Sequence, residues 1–506
     1  MDTQPQVCDV LIVGAGLSGV GAACEYTRRF PRRRVVVLEA RDRVGGTWDL
    51  FRYPGVRSDS DMQTLGYAFR PWRGRDAIAA GAQIRDYIED TAREAGVLGH
   101  IRFGHRVVEA AFCSATGRWT VEAETGTGTA ASRRRFTCQI LHVCTGYYRY
   151  DRGHVPDIAG LGTFAGPVVH PQTWPADFQA RGRRIAVIGS GATAVTLVPA
   201  LAEDAAHVTM VQRSPSYIMA LPRRDVMTPL LAPLLGHRRA AGLTRRVNIT
   251  LSTAVYRVSR AAPSLTRAVI RAANTRLLPA GYAVDTHLNP RYAPWDQRMC
   301  LAPDGDLFQA LSDGRASVVT GDIDHVTTHE IVMTSGQRVP ADAIVTATGL
   351  SLLALGGLTL RVDDHTVDLA QTVIFRGMFL TGVPNLVCTI GYTNLSWTLK
   401  AGLVTDHLCR LLTEMDRHGH TVFAVAPPGE GGTEPLLGFT ANYVLRSVAQ
   451  FPRAGHTWPW RLGEDYFRDA RRLRRGRIRH PALRLYSPHT HPATAPAVAG
   501  HPQQPV

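Results

Sequence analysis

Two glycine-rich segments hold the residue types and spacing most able to do chemistry. Gly14-Ala15-Gly16-Leu17-Ser18-Gly19 follows an apolar run at 7–13 and opens a helix expected over 18–29. In such a segment the first glycine permits a tight turn and the second lets a pyrophosphate approach the backbone. The third lets the helix pack closely on the strand. The helix N-terminus adds free N–H groups and a dipole that favours anions. Glu39 lies 25 residues past Gly14, at the end of the next strand-like run over 34–38. A carboxylate there accepts hydrogen bonds from an adenosine ribose. The pattern assigns a dinucleotide to this site and leaves open which one.

The device recurs at Gly189-Ser190-Gly191-Ala192-Thr193-Ala194, after the strand-like run 184–189 and before a helix expected over 192–202. Its second strand, 207–211, ends in Gln212, Arg213 and Ser214 rather than an acid. Removing the carboxylate removes repulsion against a 2′-phosphate. A guanidinium grips that phosphate through paired hydrogen bonds, and Ser214 adds a hydroxyl. This second site is predicted to take NADPH. Two such sites imply electrons leaving a nicotinamide for a second carrier. None of the eight cysteines forms a CxxC pair, which removes the usual outlet of a disulfide reductase. Oxygen, a quinone or a partner protein remain as acceptors. Past Glu39, Gly45-Gly46-Thr47-Trp48 lets the backbone run close to a bulky ligand. Trp48 is placed either beside that ligand or in the core.

These residues need a scaffold, and 506 residues with 45% hydrophobic content exceed what one core serves. Helices are predicted over 84–95 and 396–414, and strands over 138–144, 316–320 and 343–347. Short strands are expected within 101–125. Residues 223–294 read as helices and irregular connections. The predicted fold is α/β, with two Rossmann-like dinucleotide-binding domains and an inserted helical subdomain. The net charge is +15, carried almost wholly by arginine, because Lys400 is the only lysine. Arg471, Arg472, Arg474, Arg475, Arg477 and Arg479 form a cluster that could attract anionic lipid. No recognition module accompanies it, so no nucleic-acid partner is expected. The cysteines read as small core residues. The tail from 486 is rich in Pro, His and Ala, is expected to be disordered, and is assigned no metal. No secretory leader opens the chain and no apolar run reaches 18 residues. A cytoplasmic protein with peripheral membrane contact at most is expected.

The most specific segment is Phe164-Ala165-Gly166-Pro167-Val168-Val169-His170-Pro171-Gln172-Thr173-Trp174-Pro175. It matches F-x-G-x-x-x-H-x-x-x-W-P at every defined position. With Gly46-Thr47-Trp48, Arg52-Tyr53-Pro54-Gly55, Arg57-Ser58-Asp59 and Trp295-Asp296-Gln297-Arg298, the chain resembles the class B flavoprotein monooxygenases of the Baeyer–Villiger branch. The likeness runs over roughly residues 7–480. It implies FAD in the first site, with Gly14, Gly16, Gly19, Glu39, Gly46, Thr47, Trp48, Asp59 and Asn394 around it. It implies NADPH in the second, held by Gly189, Gly191, Thr193, Arg213 and Ser214. It makes Arg298, Asp59 and His170 the catalytic set. Arg298 lies beside the flavin, Asp59 orients it, and His170 couples domain movement to catalysis from the linker.

The implied reaction inserts one atom of O2 beside the carbonyl of a small apolar ketone, giving an ester or lactone. Oxidation of thioethers or thioamides accompanies it. A flavin monooxygenase acting mainly on sulfur or nitrogen, and a non-oxygenating NADPH-dependent flavin oxidoreductase, are the alternatives. Many members of the family carry Lys where this chain has Gln297, which leaves more of the NADPH grip to Arg213. The resemblance implies an FAD-binding domain over 1–155 that returns over 379–485. The linker and NADPH-binding domain occupy 156–222 and 295–378, around a helical insertion at 223–294. Oligomeric state is not predicted.

Overall fold

The computed structural model describes residues 5–126, 132–429 and 431–488. The expected disordered tail lies almost wholly outside the described residues.

Apolar runs of four or five residues, bounded by glycine turns, form strands buried on both faces, as a parallel sheet requires. The first sheet has five parallel strands in the order Leu386–Cys388, Ile140–Val143, Val10–Val13, Val35–Leu38, Ile101–Arg102. Val10 pairs with Val35 on one side and Ile140 on the other. The chain therefore reverses its direction of travel across the sheet at Val10–Val13. Ligands bind at the carboxyl ends of strands at such a switch point, and the first glycine turn sits there. The second sheet repeats the plan, with order Ala316–Thr320, His207–Gln212, Arg184–Ile188, Ala343–Thr346, Val168–Val169. Ile185 pairs with Val208 and Ala343, so the second glycine turn stands at a second switch point.

The predicted helices appear at Leu17–Arg29, Gly81–Glu94, Ala192–Leu201 and Trp397–His418, with ends displaced by up to four residues. Of the strand-like runs of 101–125, Ile101–Arg102 edges the first sheet and the rest belong to a separate six-stranded sheet. It contains the long antiparallel strands His105–Cys113, Arg118–Thr125 and Ser132–Cys138. Residues 223–294 hold the helices Met227–Leu235, His237–Ala261, Pro263–Arg276 and Val284–His287. All eight cysteines are unpaired, and only Cys113 is exposed. Among the described residues no helix is long and apolar enough to cross a membrane.

The C-terminal arginines fall on and after the helix Tyr466–Arg475. Several are committed to the protein itself. Arg474 pairs with Asp406 at 2.7 Å, Arg479 with Glu414 at 3.0 Å, and Arg472 lies over the Trp458 ring.

The chain's one lysine is buried. Lys400, on Trp397–His418, places Nζ 2.6 Å from Asp469 on Tyr466–Arg475, with both side chains 1% exposed. The Tyr392 hydroxyl donates to the same carboxylate oxygen at 2.9 Å. Two helices and the segment after the last strand of the first sheet are thus joined by one desolvated ion pair. Removing one partner of such a pair strands the other charge, at a cost of about 3–5 kcal/mol. Lys400→Met is expected to lower unfolding free energy by about that much in urea titration. The double variant Lys400→Met/Asp469→Leu should recover most of the loss. A single variant as stable as the parent refutes this account.

Candidate active site

Each glycine turn is fixed by close backbone approach. A Cβ on Gly19 would stand 1.8 Å from the Gly14 carbonyl oxygen, so only glycine lets the helix Leu17–Arg29 seat on its strand. Gly189 has φ +138°, and a Cβ there would stand 2.2 Å from the Ala347 carbonyl oxygen. Gly191 has open space on its Cβ side, which leaves the second turn accessible to a ligand.

Glu39 ends the strand Val35–Leu38 and is buried. One carboxylate oxygen accepts the Ala15 N–H at 2.6 Å and the other the Arg41 N–H at 2.9 Å. Burial pushes its pKa up, against the pull of those hydrogen bonds. Each oxygen keeps lone-pair capacity for a ribose hydroxyl. Gly46 lies against Gly16, where an added Cβ would come within 3.0 Å of the Gly16 Cα. Thr47 Oγ1 lies 3.3 Å from the Tyr150 hydroxyl. Trp48 is half-buried and packs against the core of the first sheet.

Asn394 is buried. Its Nδ2 donates to the Glu464 carbonyl at 2.9 Å, while its Oδ1 has no partner among the described residues. An unpaired buried acceptor calls for a donor that the protein does not supply. A glycine cradle with a carboxylate at its end, together with the unpaired Asn394 amide oxygen, fits a large polar dinucleotide such as FAD. Beside it, Glu464 accepts the Thr393 N–H at 3.2 Å and the Thr393 hydroxyl at 2.9 Å. Withdrawal from water pushes its carboxyl up to about 7, opposed by the Thr393 hydrogen bonds and the Lys400 charge.

At the second turn, Arg213 and Ser214 are exposed at the carboxyl end of His207–Gln212. Arg213 has no carboxylate partner among the described residues. The Ser190 hydroxyl donates to the Ser214 carbonyl at 2.8 Å, tying the glycine turn to that strand end. Gln212 points inward instead, donating to the His287 carbonyl at 2.8 Å. Arg213 thus stands exposed and unpaired at this strand end, among the described residues.

The two units meet along the loop 52–59. The Tyr53 and Thr193 hydroxyls interact. Arg57 pairs with Asp306 and donates to the Leu301 carbonyl at 3.3 Å. At the end of the loop, Asp59 Oδ2 lies 2.7 Å from Arg298 Nε. Burial lowers the Arg298 pKa, but the Asp59 charge, joined by Tyr147, Tyr148 and Tyr443, outweighs it and the net direction is up. The cation is therefore permanent.

Tyr147 packs edge-on against Trp397 at 5.1 Å, and Trp397 Nε1 donates to Ser18 Oγ at 2.8 Å. These aromatic residues escaped the sequence reading. The tyrosine-rich run Gly146-Tyr147-Tyr148-Arg149-Tyr150 at a strand exit was the available signal.

His170 stands apart from the Arg298–Asp59 contact, between the chain leaving each parallel sheet. Its Nδ1 accepts the Gln172 N–H at 3.1 Å and its Nε2 donates to the Gly349 carbonyl at 3.3 Å, which fixes the tautomer. Burial lowers its pKa, so the ring is neutral. The ring packs so tightly on Gly153 that a Cβ there would meet it at 1.9 Å.

A flavin-binding monooxygenase-like family model matches residues 77–255, and an NAD(P)-binding Rossmann-like model matches 12–72. The chain is 48% identical over 479 residues to the FAD-containing monooxygenase EthA of Mycobacterium tuberculosis, covering 94% of this chain and 97% of that one. Its fold is similar to an oxidized steroid monooxygenase bound to NADP, with TM-score 0.72, 21% identity, and coverage of 95% and 100%. It is also similar to a polycyclic ketone monooxygenase from Thermothelomyces thermophila, with TM-score 0.74, 17% identity, and coverage of 96% and 91%. The chain belongs to the class B flavin-binding monooxygenases. It is an enzyme that uses FAD and NADPH.

Two outcomes test these sites. Arg213→Ala is expected to raise KM for NADPH about ten- to hundredfold and leave KM for NADH unchanged in steady-state assays. Equal effects on both cofactors contradict a phosphate contact. Glu464 is raised above its unfolded value near 4.5, so its contribution to stability is full below that pH and is lost as pH rises through about 7. Thermal midpoints of Glu464→Gln should therefore gain on the parent as pH rises from about 5 to 8. A constant gap contradicts the shift.

Proposed function

We propose that this monooxygenase delivers one oxygen atom to a small apolar substrate at the seam between its two nucleotide sites, and that it acts there on ketone carbonyls. The observation that carries this reading is the 2.7 Å Arg298–Asp59 contact within reach of Tyr147, Tyr148 and Tyr443. FAD, when bound and reduced by NADPH, supplies the activated oxygen. Gly14, Gly16, Gly19, Glu39, Gly46, Thr47, Trp48, Asp59 and Asn394 would hold it. Gly189, Gly191, Thr193, Arg213 and Ser214 would hold NADPH.

The chain's own contribution is electrostatic and steric. Arg298 cannot lose its proton, so it presents a fixed positive charge wherever negative charge develops on oxygen. Asp59 sets the orientation of the guanidinium and compensates part of its charge. Tyr147 and Tyr443 border the same region, with Trp397 packed on Tyr147, and limit the water that reaches the pair. Neutral His170 donates no charge. It ties the linker to the strand exit at Gly349, and its role is positioning.

A second reading is oxygenation mainly at sulfur or nitrogen. It draws support from EthA, which is named by its cofactor and reaction class without a carbonyl substrate. The structures named for ketones or steroids are at most 21% identical and speak for the fold alone.

The discriminating assay supplies the FAD-loaded enzyme with NADPH, air, and a methyl ketone together with a methyl thioether. Ester formation is expected, and sulfoxide without ester overturns the carbonyl reading. NADPH consumption with rapid quinone reduction and no oxygenated product overturns both readings. Arg298→Ala should lower ester turnover about hundredfold or more while retaining FAD absorbance.

A further inference from the structure

The helices between 227 and 276 expose most of their large aliphatic side chains. His237–Ala261 turns Ala240, Ala241, Thr244, Thr253 and Ser259 inward, with Ile249 the one large aliphatic side chain buried among them. It leaves Leu243, Val247, Leu251, Val255 and Val258 exposed. Spacings of four and three residues place these five on one stripe. Ordinary surface helices bury their large apolar side chains and expose small or polar ones.

The neighbouring helices follow the same trend, although Pro263–Arg276 buries Ile270. Leu230 and Leu234 of Met227–Leu235 are 76% and 85% exposed, and Leu265 and Val269 of Pro263–Arg276 are 61% and 59% exposed. Met227–Leu235 packs on His237–Ala261, which packs on Pro263–Arg276. Twelve of the nineteen large apolar side chains exposed among the described residues fall between 226 and 277. Scattered exposed hydrophobes need no explanation, but a clustered layer of this kind does.

Charge selects the occupant. Residues 226–284 contain nine arginines and no Asp or Glu. Five of the nine turn back to the protein. Arg245 donates to the Gln63 and Gly66 carbonyls. Arg257 pairs with Asp465, Arg260 with Asp296 and Arg271 with Asp285, while Arg267 donates to Asn289. Arg238, Arg239, Arg246 and Arg276 are exposed and have no carboxylate partner among the described residues. Arg239 continues the apolar stripe one turn before Leu243, and Arg246 adjoins Val247. A second copy of this layer would set arginine against arginine. An anionic lipid surface offers phosphates to the arginines and acyl chains to the leucines.

We propose that this three-helix layer docks the enzyme on the surface of an anionic lipid bilayer. The apolar stripes sit at the headgroup–acyl boundary, and the four free arginines engage lipid phosphates. The contact is peripheral. The inner side of the same layer holds the segment Asp61–Gly66, so docking sets the loop bearing Asp59 one helix away from the lipid. Docking is independent of which substrate centre the enzyme oxygenates.

The test uses the full FAD-loaded chain and sedimentation with vesicles. One set is phosphatidylcholine alone and the other is equal parts phosphatidylcholine and phosphatidylglycerol. The parent is expected to bind the mixed vesicles and to be released by salt. Leu230→Glu/Leu251→Glu should weaken that binding about tenfold or more, with NADPH turnover on a soluble substrate unchanged. Arg238→Gln/Arg239→Gln/Arg246→Gln should remove the advantage of phosphatidylglycerol. Light scattering without vesicles gives the mass of each variant. No binding by the parent, equal binding to both vesicle types, or a parent dimer that the leucine variant splits into monomers each overturns the proposal.

Discussion

A partly buried guanidinium gains from a carboxylate in contact, and Arg298 receives its partner from across a seam. Asp59 ends a loop that leaves the first nucleotide unit, whereas Arg298 directly precedes a strand beginning at Cys300 that packs with the second. The contact forms only when the two units are correctly set against each other. The Arg57–Asp306 pair and the Tyr53–Thr193 contact fix that setting from the same loop. A cation meant to act on developing charge loses much of its effect when displaced by about 1 Å. The seam is therefore held at several points, although each surface-accessible pair alone contributes little.

The nucleotide turns were legible because their requirement is local. A strand, a glycine turn and a helix start are contiguous, and the acid or arginine that follows lies one unit further on. The structure forms both strand–turn–helix units and also places both turns at sheet switch points, which the spacing did not address. The Arg298–Asp59 contact was of another kind. The two residues are 239 positions apart, and each alone reads as an ordinary charged side chain. Only the resemblance paired them. Lys400 illustrates a different gap. The helix around it was predicted, but periodicity gives the apolar stripe and not the partner that lets a neighbouring charge enter the core. Asp469 supplies that partner from 69 residues away.

The helical insertion exposes the limit of amphipathic reasoning itself. A period of three and four residues identifies a stripe, and the usual inference turns that stripe inward. In His237–Ala261 the stripe faces out because the inward positions are taken mostly by alanine, threonine and serine, which let the helix approach the body closely, with Ile249 the one large aliphatic side chain among them. Arg245 and Asn248 complete that inner face. Arg245 donates to the carbonyls of Gln63, Thr64 and Gly66, and Asn248 donates to Asp61 at 2.9 Å. Sequence periodicity cannot separate these two orientations. The absence of acid over the same stretch was visible from composition.

This inner attachment links the layer to the site in a definite way. Asp61 caps the short helix Met62–Leu65 by accepting the Thr64 N–H, and Asp59 lies two residues before it. Any tilt of His237–Ala261 pulls on Asp61 through Asn248 and on the carbonyls of Gln63–Gly66 through Arg245. Asp59 is held on its other side by Arg298 and, through its loop, by Arg57 and Asp306. The segment is thus clamped between the helical layer and the second nucleotide unit. Forces on the outer layer reach the carboxylate that orients the cation by a path of directional hydrogen bonds, whereas the first glycine turn is shielded by the buried packing of its own helix and strand. Displacement of the layer would alter the field near Arg298 before it altered cofactor retention.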